Sequence, residues 1–187
     1  PAASPALRVL AGFASEPGPR DDNQDFGAVC FSEPGRATGV IAALADGMGG
    51  HKGGRVAAET AVRAFIDGYL SRSETLEVRA TAGGALEAVN RWLHAQGRMD
   101  ANLEAMGCTF TAAILRGRRL HVLHVGDTRL YRLRAGQLTQ LTRDHRPDGG
   151  AHNILTRAIG LEETVRIDYA SEPMEAHDRL LLCCDGV

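Results

Sequence analysis

Three aspartates recur in the same local context. Asp25 follows a loop rich in Pro, Gly and Asp and opens an apolar run. Asp46 follows the run Gly39 to Ala45, and Asp185 follows Arg179 to Cys184. Asp46 and Asp185 are each followed by glycine. Carboxylates at the ends of packed strands are rigidly placed. Hard oxygen ligands of this kind suit Mg²⁺ or Mn²⁺ better than zinc. Two such ions sharing a water lower its pKa and yield a nucleophile at neutral pH. Asp-Gly is also an ordinary turn dipeptide, and that reading stays open beside the first. Arg20 precedes Asp25 in the same loop. Its guanidinium suits a forked hold on phosphate oxygens or a surface pair with Asp21 or Asp22.

Other chemistries find less support. The stretch from Asp46 to Gly54 carries five glycines, but its spacing matches neither a dinucleotide fingerprint nor a P-loop. Glycine there lets backbone approach a ligand closely, so that the Gly47 carbonyl becomes a candidate ligand. His121 and His124 fall on opposite faces of an expected strand and cannot share a zinc. His145, His152 and His177 are assigned surface or capping roles. Cys30, Cys108, Cys183 and Cys184 form no C-x-x-C pair and read as small thiols of a reduced compartment.

The elements that must position these groups follow from periodicity. Leu7 to Ala14, Asp25 to Phe31 and Gly39 to Ala45 read as strands, the last buried on both faces. A turn is expected at Pro34-Gly35. Apolar residues at helical spacing mark helices over Arg55 to Leu70 and Ala80 to Gln96, with connectors at Ser71 to Arg79 and Gly97 to Met106. Thr109 to Leu115, Leu120 to Val125, Arg129 to Arg134 and Gln137 to Leu141 read as a four-stranded antiparallel meander. Ile154 to Ile159 reads as a helical turn, and Val165 to Tyr169 and Arg179 to Cys184 as further strands.

The 187 residues suffice for one domain with its own core, without disulfides or structural metal. With 21 Lys and Arg against 23 Asp and Glu, the net charge is -2, so no basic excess points to nucleic acid or an acidic membrane. Aromatics at 5% leave few stacking platforms for bases. No apolar run is long enough to span a bilayer, and the first residues do not form a secretory signal. A cytoplasmic location is expected.

These residues resemble a known family. Arg20-Asp21-Asp22-Asn23-Gln24-Asp25 resembles R-x-x-N-[EQ]-D, and Asp46-Gly47-Met48-Gly49-Gly50-His51 resembles D-G-M-G-G-H. Met106-Gly107-Cys108-Thr109 is similar to M-G-[ST]-T, the stretch Val125 to Tyr131 to V-G-D-S-R-x-Y, and Leu141 to His145 to L-T-x-D-H. Asn153 to Gly160 and Leu182 to Val187 match two more. All belong, in this order, to the metal-dependent protein phosphatases (PPM, type 2C).

The resemblance implies an α+β fold, a four-layer α/β/β/α sandwich of two antiparallel sheets with helices outside. It implies a site for two Mn²⁺ or Mg²⁺ ions, with a third in some members. Asp46 would bridge the two metals, Gly47 would offer its carbonyl, Asp185 would bind one ion and Asp25 would act directly or through water. Asp127 with Asp185 would hold the third ion. Arg20 would bind the substrate phosphate. The implied reaction is hydrolysis of phosphoserine and phosphothreonine in proteins by a metal-bridging hydroxide. The implied partners are a phosphoprotein substrate and an opposing bacterial Ser/Thr kinase, with no nucleic acid and no membrane insertion.

Departures from the family pattern shape the remaining expectations. Met48 stands where eukaryotic members carry a histidine, which leaves His51 or a metal-bound water to protonate the leaving group. Gln24 replaces a residue that is often acidic. The segment 145–153 is short where the family carries a flap. The family's closing Asp-Asn segment does not follow Asp185-Gly186-Val187, so a single domain over 1–187, incomplete at its end, is expected. Such a chain would bind one metal weakly, or two with help from a partner chain. Two rival functions remain: a non-catalytic phosphoprotein-binding or regulatory module of the same fold, and a two-metal phosphoesterase acting on small molecules.

Overall fold

A computed structural model describes residues 7–32, 39–48, 51–73, 75–147 and 154–187, the side chains of His51 and Lys52 excepted. The Pro34-Gly35 turn and His152 lie outside the described residues. Among the described residues, nine strands and two long helices follow in the order β1 (Asp25–Phe31), β2 (Val40–Met48), α1 (His51–Leu70), α2 (Val78–Met99), β3 (Gly107–Cys108), β4 (Phe110–Arg116), β5 (Arg119–Val125), β6 (Arg129–Arg134), β7 (Gln137–Gln140), β8 (Asp168–Pro173) and β9 (Arg179–Cys183).

All strand pairs are antiparallel and form two sheets. The larger runs β1-β2-β4-β5-β8, with β3 paired to the end of β2; the smaller runs β7-β6-β9. The fold is therefore α+β, with two antiparallel sheets and two helices. The expected meander is corrected: β4 with β5 and β6 with β7 are hairpins, but they belong to different sheets. The chain first crosses from one sheet to the other at Gly126, whose φ of 103° is a conformation that side-chain-bearing residues rarely adopt; it returns to the larger sheet for β8 and leaves it again for β9.

The period-2 alternation of the strands sorts their side chains onto two cores. Ile41, Ala43 and Ala45 of β2 and Phe110, Ala112 and Ile114 of β4 face α1 and α2. Ala113, Leu120 and Val122 face the other way, meeting Leu130 of β6 and Met174, with Leu180 and Leu182 of β9 packed alongside. The layers are thus helices, larger sheet, smaller sheet. Ala57, Ala58 and Ala61 of α1 are fully buried. Such small side chains let a helix approach the sheet closely. Phe65 meets Phe110 edge-on at 4.9 Å between ring centroids, across the helix–sheet boundary.

Arg132 of β6 pairs with Glu172 of β8, and Arg134 pairs with Asp178 at 2.6 Å while donating to the Pro173 carbonyl at 3.0 Å. These arginines tie the smaller sheet to the edge of the larger one.

Several expected elements shift. Leu7 to Ala14 is not a strand; it has no sheet partner, and Leu10 is 82% exposed. Ile154 to Ile159 is not a helical turn but irregular chain, joined to Cys108 by a bridge at Ile159. The strand expected over Val165 to Tyr169 is β8, which begins at Asp168 rather than Val165. β2 is buried on alternate residues rather than on both faces. Both helices extend past their expected ends, α1 back to His51 and α2 out to Met99.

Candidate metal centre

β2 runs through Asp46, Gly47 and Met48 instead of stopping at Ala45. The reason is local. β3 pairs with Gly47 and Met48, so the strand keeps a partner where β4 has already turned away. Glycine is required here by the protein's own backbone. A Cβ on Gly47 would lie 2.1 Å from the Gly54 carbonyl oxygen, and one on Gly54 would lie 2.2 Å from Gln24 Oε1. These glycines let the first turns of α1 rest on the end of β2.

In the antiparallel register Asp25 stands opposite Asp46. Their carboxyl groups share a hydrogen bond, and Asp185 and Asp127 lie near enough to raise the Asp46 pKa as well. Burial is the largest cause and the surrounding negative charge adds to it, so the Asp46 carboxyl is pushed up to about 7. Cys184 is pushed up to about 11 by burial and by a hydrogen bond to Asp25. The three recurring aspartates, separated in sequence by up to 160 residues, thus converge at one end of the two sheets with Asp127 as a fourth.

Thr109 fixes two of these groups at once. Its hydroxyl accepts from the Asp46 N–H at 3.1 Å, and its own N–H donates to the Asp46 carbonyl at 2.9 Å. Its side chain also lies against Gly126, where a Cβ would come within 2.6 Å. Gly126 is held from the opposite side by His145. Gly126 N–H donates to His145 Nδ1 at 3.0 Å, and His145 N–H donates to the Gly126 carbonyl at 2.7 Å. Because Nδ1 accepts, Nε2 carries the proton and donates to Asp168 Oδ2 at 3.0 Å. Arg157 donates to the other Asp168 oxygen at 2.8 Å. The chain Asp46–Thr109–Gly126–His145–Asp168–Arg157 places Asp127 through its neighbour.

His145 is therefore not a surface or capping residue. It lies in the loop that follows β7 and is buried against β5, beside His124 at 4.7 Å between ring centroids. His124 donates from Nε2 to the Arg143 carbonyl at 3.0 Å and receives from Thr111 at 2.9 Å; burial pushes its pKa down to about 4. His121 lies on the opposite face of β5 against Tyr169, as the strand alternation requires. His177 lies at a tight turn with φ 72°.

The remaining sequence candidates fall as follows. Arg20 is exposed in the turn before β1, and its side chain makes no hydrogen bond or ion pair among the described residues. His51 opens α1, but its side chain lies outside the described residues. Asp185 is exposed and lies one residue beyond the end of β9, after Cys184. The cysteines are all free, with Cys108 and Cys183 buried and Cys30 and Cys184 half-buried.

Sequence reading missed Thr109, His145, Arg146 and Asp168. The first two sit inside quoted motifs, so their positions were marked while their work was not. Arg146 is the most consequential. It donates from Nε and Nη2 to Asp127 Oδ2 at 2.9 and 2.5 Å, and from Nη2 to Asp185 Oδ2 at 3.1 Å. It ties those two carboxylates to each other beside the Asp25–Asp46 pair. Among the described residues no three His, Cys, Asp or Glu side chains are drawn into a ready metal cage.

This geometry meets a family whose sequence model, described as protein phosphatase 2C, matches residues 20–187. The chain belongs to the protein phosphatase 2C family. The serine/threonine phosphatase stp of Listeria welshimeri is 35% identical over 189 residues, covering 90% of this chain and 73% of that protein. The crystal structure of the serine/threonine phosphatase Stp1 from Staphylococcus aureus superposes with a TM-score of 0.81 over 98% of this chain and 80% of its own; at 24% identity it attests the fold. The catalytic domain of the serine/threonine protein phosphatase PstP, solved with two manganese ions, is 31% identical with a TM-score of 0.74, covering 98% of this chain and 76% of its own. This is the company of bacterial Ser/Thr protein phosphatases, metal-dependent enzymes of the hydrolase class. Among the described residues no helix is long and apolar enough to cross a membrane.

Proposed function

We infer that Asp25, Asp46 and Asp185, with the Gly47 carbonyl, hold divalent Mn²⁺ or Mg²⁺, and that the chain hydrolyses phosphoserine and phosphothreonine in proteins. The observation that carries this is the Asp46 carboxyl. It is half-buried, opposed by Asp25 across the sheet and surrounded by further carboxylates, an arrangement that costs free energy until a cation offsets it. The donors are all hard oxygens, which fits Mg²⁺ and Mn²⁺. Bound dications supply Lewis acidity, making water nucleophilic near neutral pH and offsetting charge on phosphoryl oxygens.

The chain's own residues do the rest. Thr109 fixes the Asp46 backbone, so the carboxylate meets its ligand without a search for geometry. Asp25 hydrogen-bonds Asp46 and orients it. Arg20, exposed in the turn before Asp25, is the group that takes the substrate phosphate in a fork. His51, at the first residue of α1, is the candidate proton donor to the leaving group. A fourth layer of helices over the smaller sheet, an opposing Ser/Thr kinase and a cytoplasmic setting belong to the same reading.

The test compares phosphate release from a phosphothreonine peptide and from a small aryl phosphate, each with and without Mn²⁺. A kcat/KM higher on the peptide supports a phosphoprotein substrate; one higher on the small ester supports a small-molecule phosphoesterase instead.

A further inference from the structure

We propose that Arg146 is a built-in cation that occupies the Asp127–Asp185 carboxylate pair and thereby excludes a divalent ion from that position. This rests on the reading of the neighbouring Asp25–Asp46 centre as a divalent-cation site. The guanidinium bridges the two aspartates: Nε and Nη2 both engage Asp127 Oδ2, and Nη2 also reaches Asp185 Oδ2. The Asp127 side chain is only 8% exposed, so this is a largely desolvated pair rather than a surface contact. A guanidinium and a dication cannot share the same carboxylate oxygens, because like charges at that separation repel strongly.

The arginine is delivered from a fixed backbone. Its neighbour His145 is bonded through its own N–H, carbonyl and both ring nitrogens, to Gly126, Thr156 and Asp168. The same His145 bonds fix Gly126, next to Asp127. Arg146 and its partner carboxylate are thus anchored to each other through two covalently adjacent residues, a short and stiff loop of contacts. Surface arginines pairing by chance have no such anchorage. Asp144, the residue before His145, is separately committed to Arg129 at 2.6 Å, so it does not compete for Arg146. The consequence is a division of labour among the aspartates: Asp25, Asp46 and the other oxygen of Asp185 remain for metal, while Asp127 is already neutralised by the chain itself.

The test is Mn²⁺ binding to the 187-residue chain, read by the loss of the free-ion electron paramagnetic resonance signal, which does not depend on turnover. The wild-type chain and Asp127→Asn should bind the same number of ions. Arg146→Ala should take up one further Mn²⁺, or bind its weakest ion at least tenfold more tightly, and Arg146→Ala with Asp127→Asn should lose that gain. Arg146→Lys, which keeps one charge without the fork, should fall between. Circular dichroism checks the fold of each variant. Equal binding by wild type and a folded Arg146→Ala overturns the proposal. So does the loss of an ion from the wild type on Asp127→Asn alone, a comparison that stands even if Arg146→Ala does not fold. Asp46→Ala is the separate control for the centre itself. Retention of every bound ion in that variant contradicts the reading of the centre and leaves the Arg146 comparison to be judged by its own two outcomes.

Discussion

Asp46 joins the electrostatics of this protein to its stability. Its carboxyl titrates at 3.8 in an unperturbed chain and near 7 in the fold. Between those values the folded chain binds more protons than the unfolded one, so this group's contribution to stability falls as pH rises from about 4 to 7 and stays lost above. Asp144, Asp168 and Asp178 have the opposite sign, because burial is outweighed or exceeded by hydrogen bonds and charge from Arg129, from His145 with Arg157, and from Arg134. Their contribution is lost only as pH falls below the ordinary carboxylate range. Without metal, the melting temperature should therefore decline between pH 5 and pH 8. Asp46→Asn should flatten that slope and raise the melting temperature at pH 8, by roughly 2–4 °C for each kcal/mol relieved. Added Mn²⁺ should stabilise the wild-type chain more at pH 8 than at pH 5. Thermal unfolding across pH, with and without a chelator, reads all three; a slope unchanged by Asp46→Asn would contradict the assignment. At the same scale, His145→Ala should lower kcat/KM about 10–100-fold, the range for groups that orient metal-site residues. The drop should fall mainly on kcat, because the residue acts on the Gly126–Asp127 turn rather than on substrate.

Among the elements, β2 and α1 carry the site because they lie against each other with almost no side-chain volume between them. Gly47→Ala should be far more damaging than an ordinary surface change, since its Cβ meets backbone at 2.1 Å and not the end of a flexible side chain. Loss of Mn²⁺ binding before loss of helical signal is the expected order. Phe110→Ala removes the ring that meets Phe65 in the helix–sheet core and should cost about 3–5 kcal/mol, read by denaturant unfolding. The elements also show what sequence pattern carries. β1 and β6 match their expected bounds because each is a short run whose flanking sequence carries loop or turn residues. Leu7 to Ala14 is apolar enough for a strand but finds no sheet edge, which no local pattern reveals. β2 overran its apolar segment because β3, a two-residue strand some 60 positions later, supplies hydrogen bonds to Gly47 and Met48. Long-range partners decide such ends.

For the whole molecule, the order of motifs along the chain was legible because each is a short run of types suited to one task. The carboxylates converge as their recurrence at strand ends suggests, since antiparallel pairing brings those ends together. The supporting network was not legible. Thr109, His145, Asp168 and Arg146 act through contacts spanning between 19 and 63 positions, and nothing in their spacing marks them. The division of the strands into two sheets was likewise hidden, because a hairpin within a sheet and a crossing between sheets leave similar turn signals. The first crossing, from β5 to β6, falls at the positive φ of Gly126, a conformation that sequence spacing does not display.

The most direct measurement is phosphate release from a phosphothreonine peptide by the 187-residue chain with Mn²⁺, beside Asp46→Asn and a chelated control. The account predicts release that requires Mn²⁺, stops on chelation and falls about 100-fold or more in Asp46→Asn while the fold is retained. Release that persists after chelation, or that survives undiminished in folded Asp46→Asn, would contradict it.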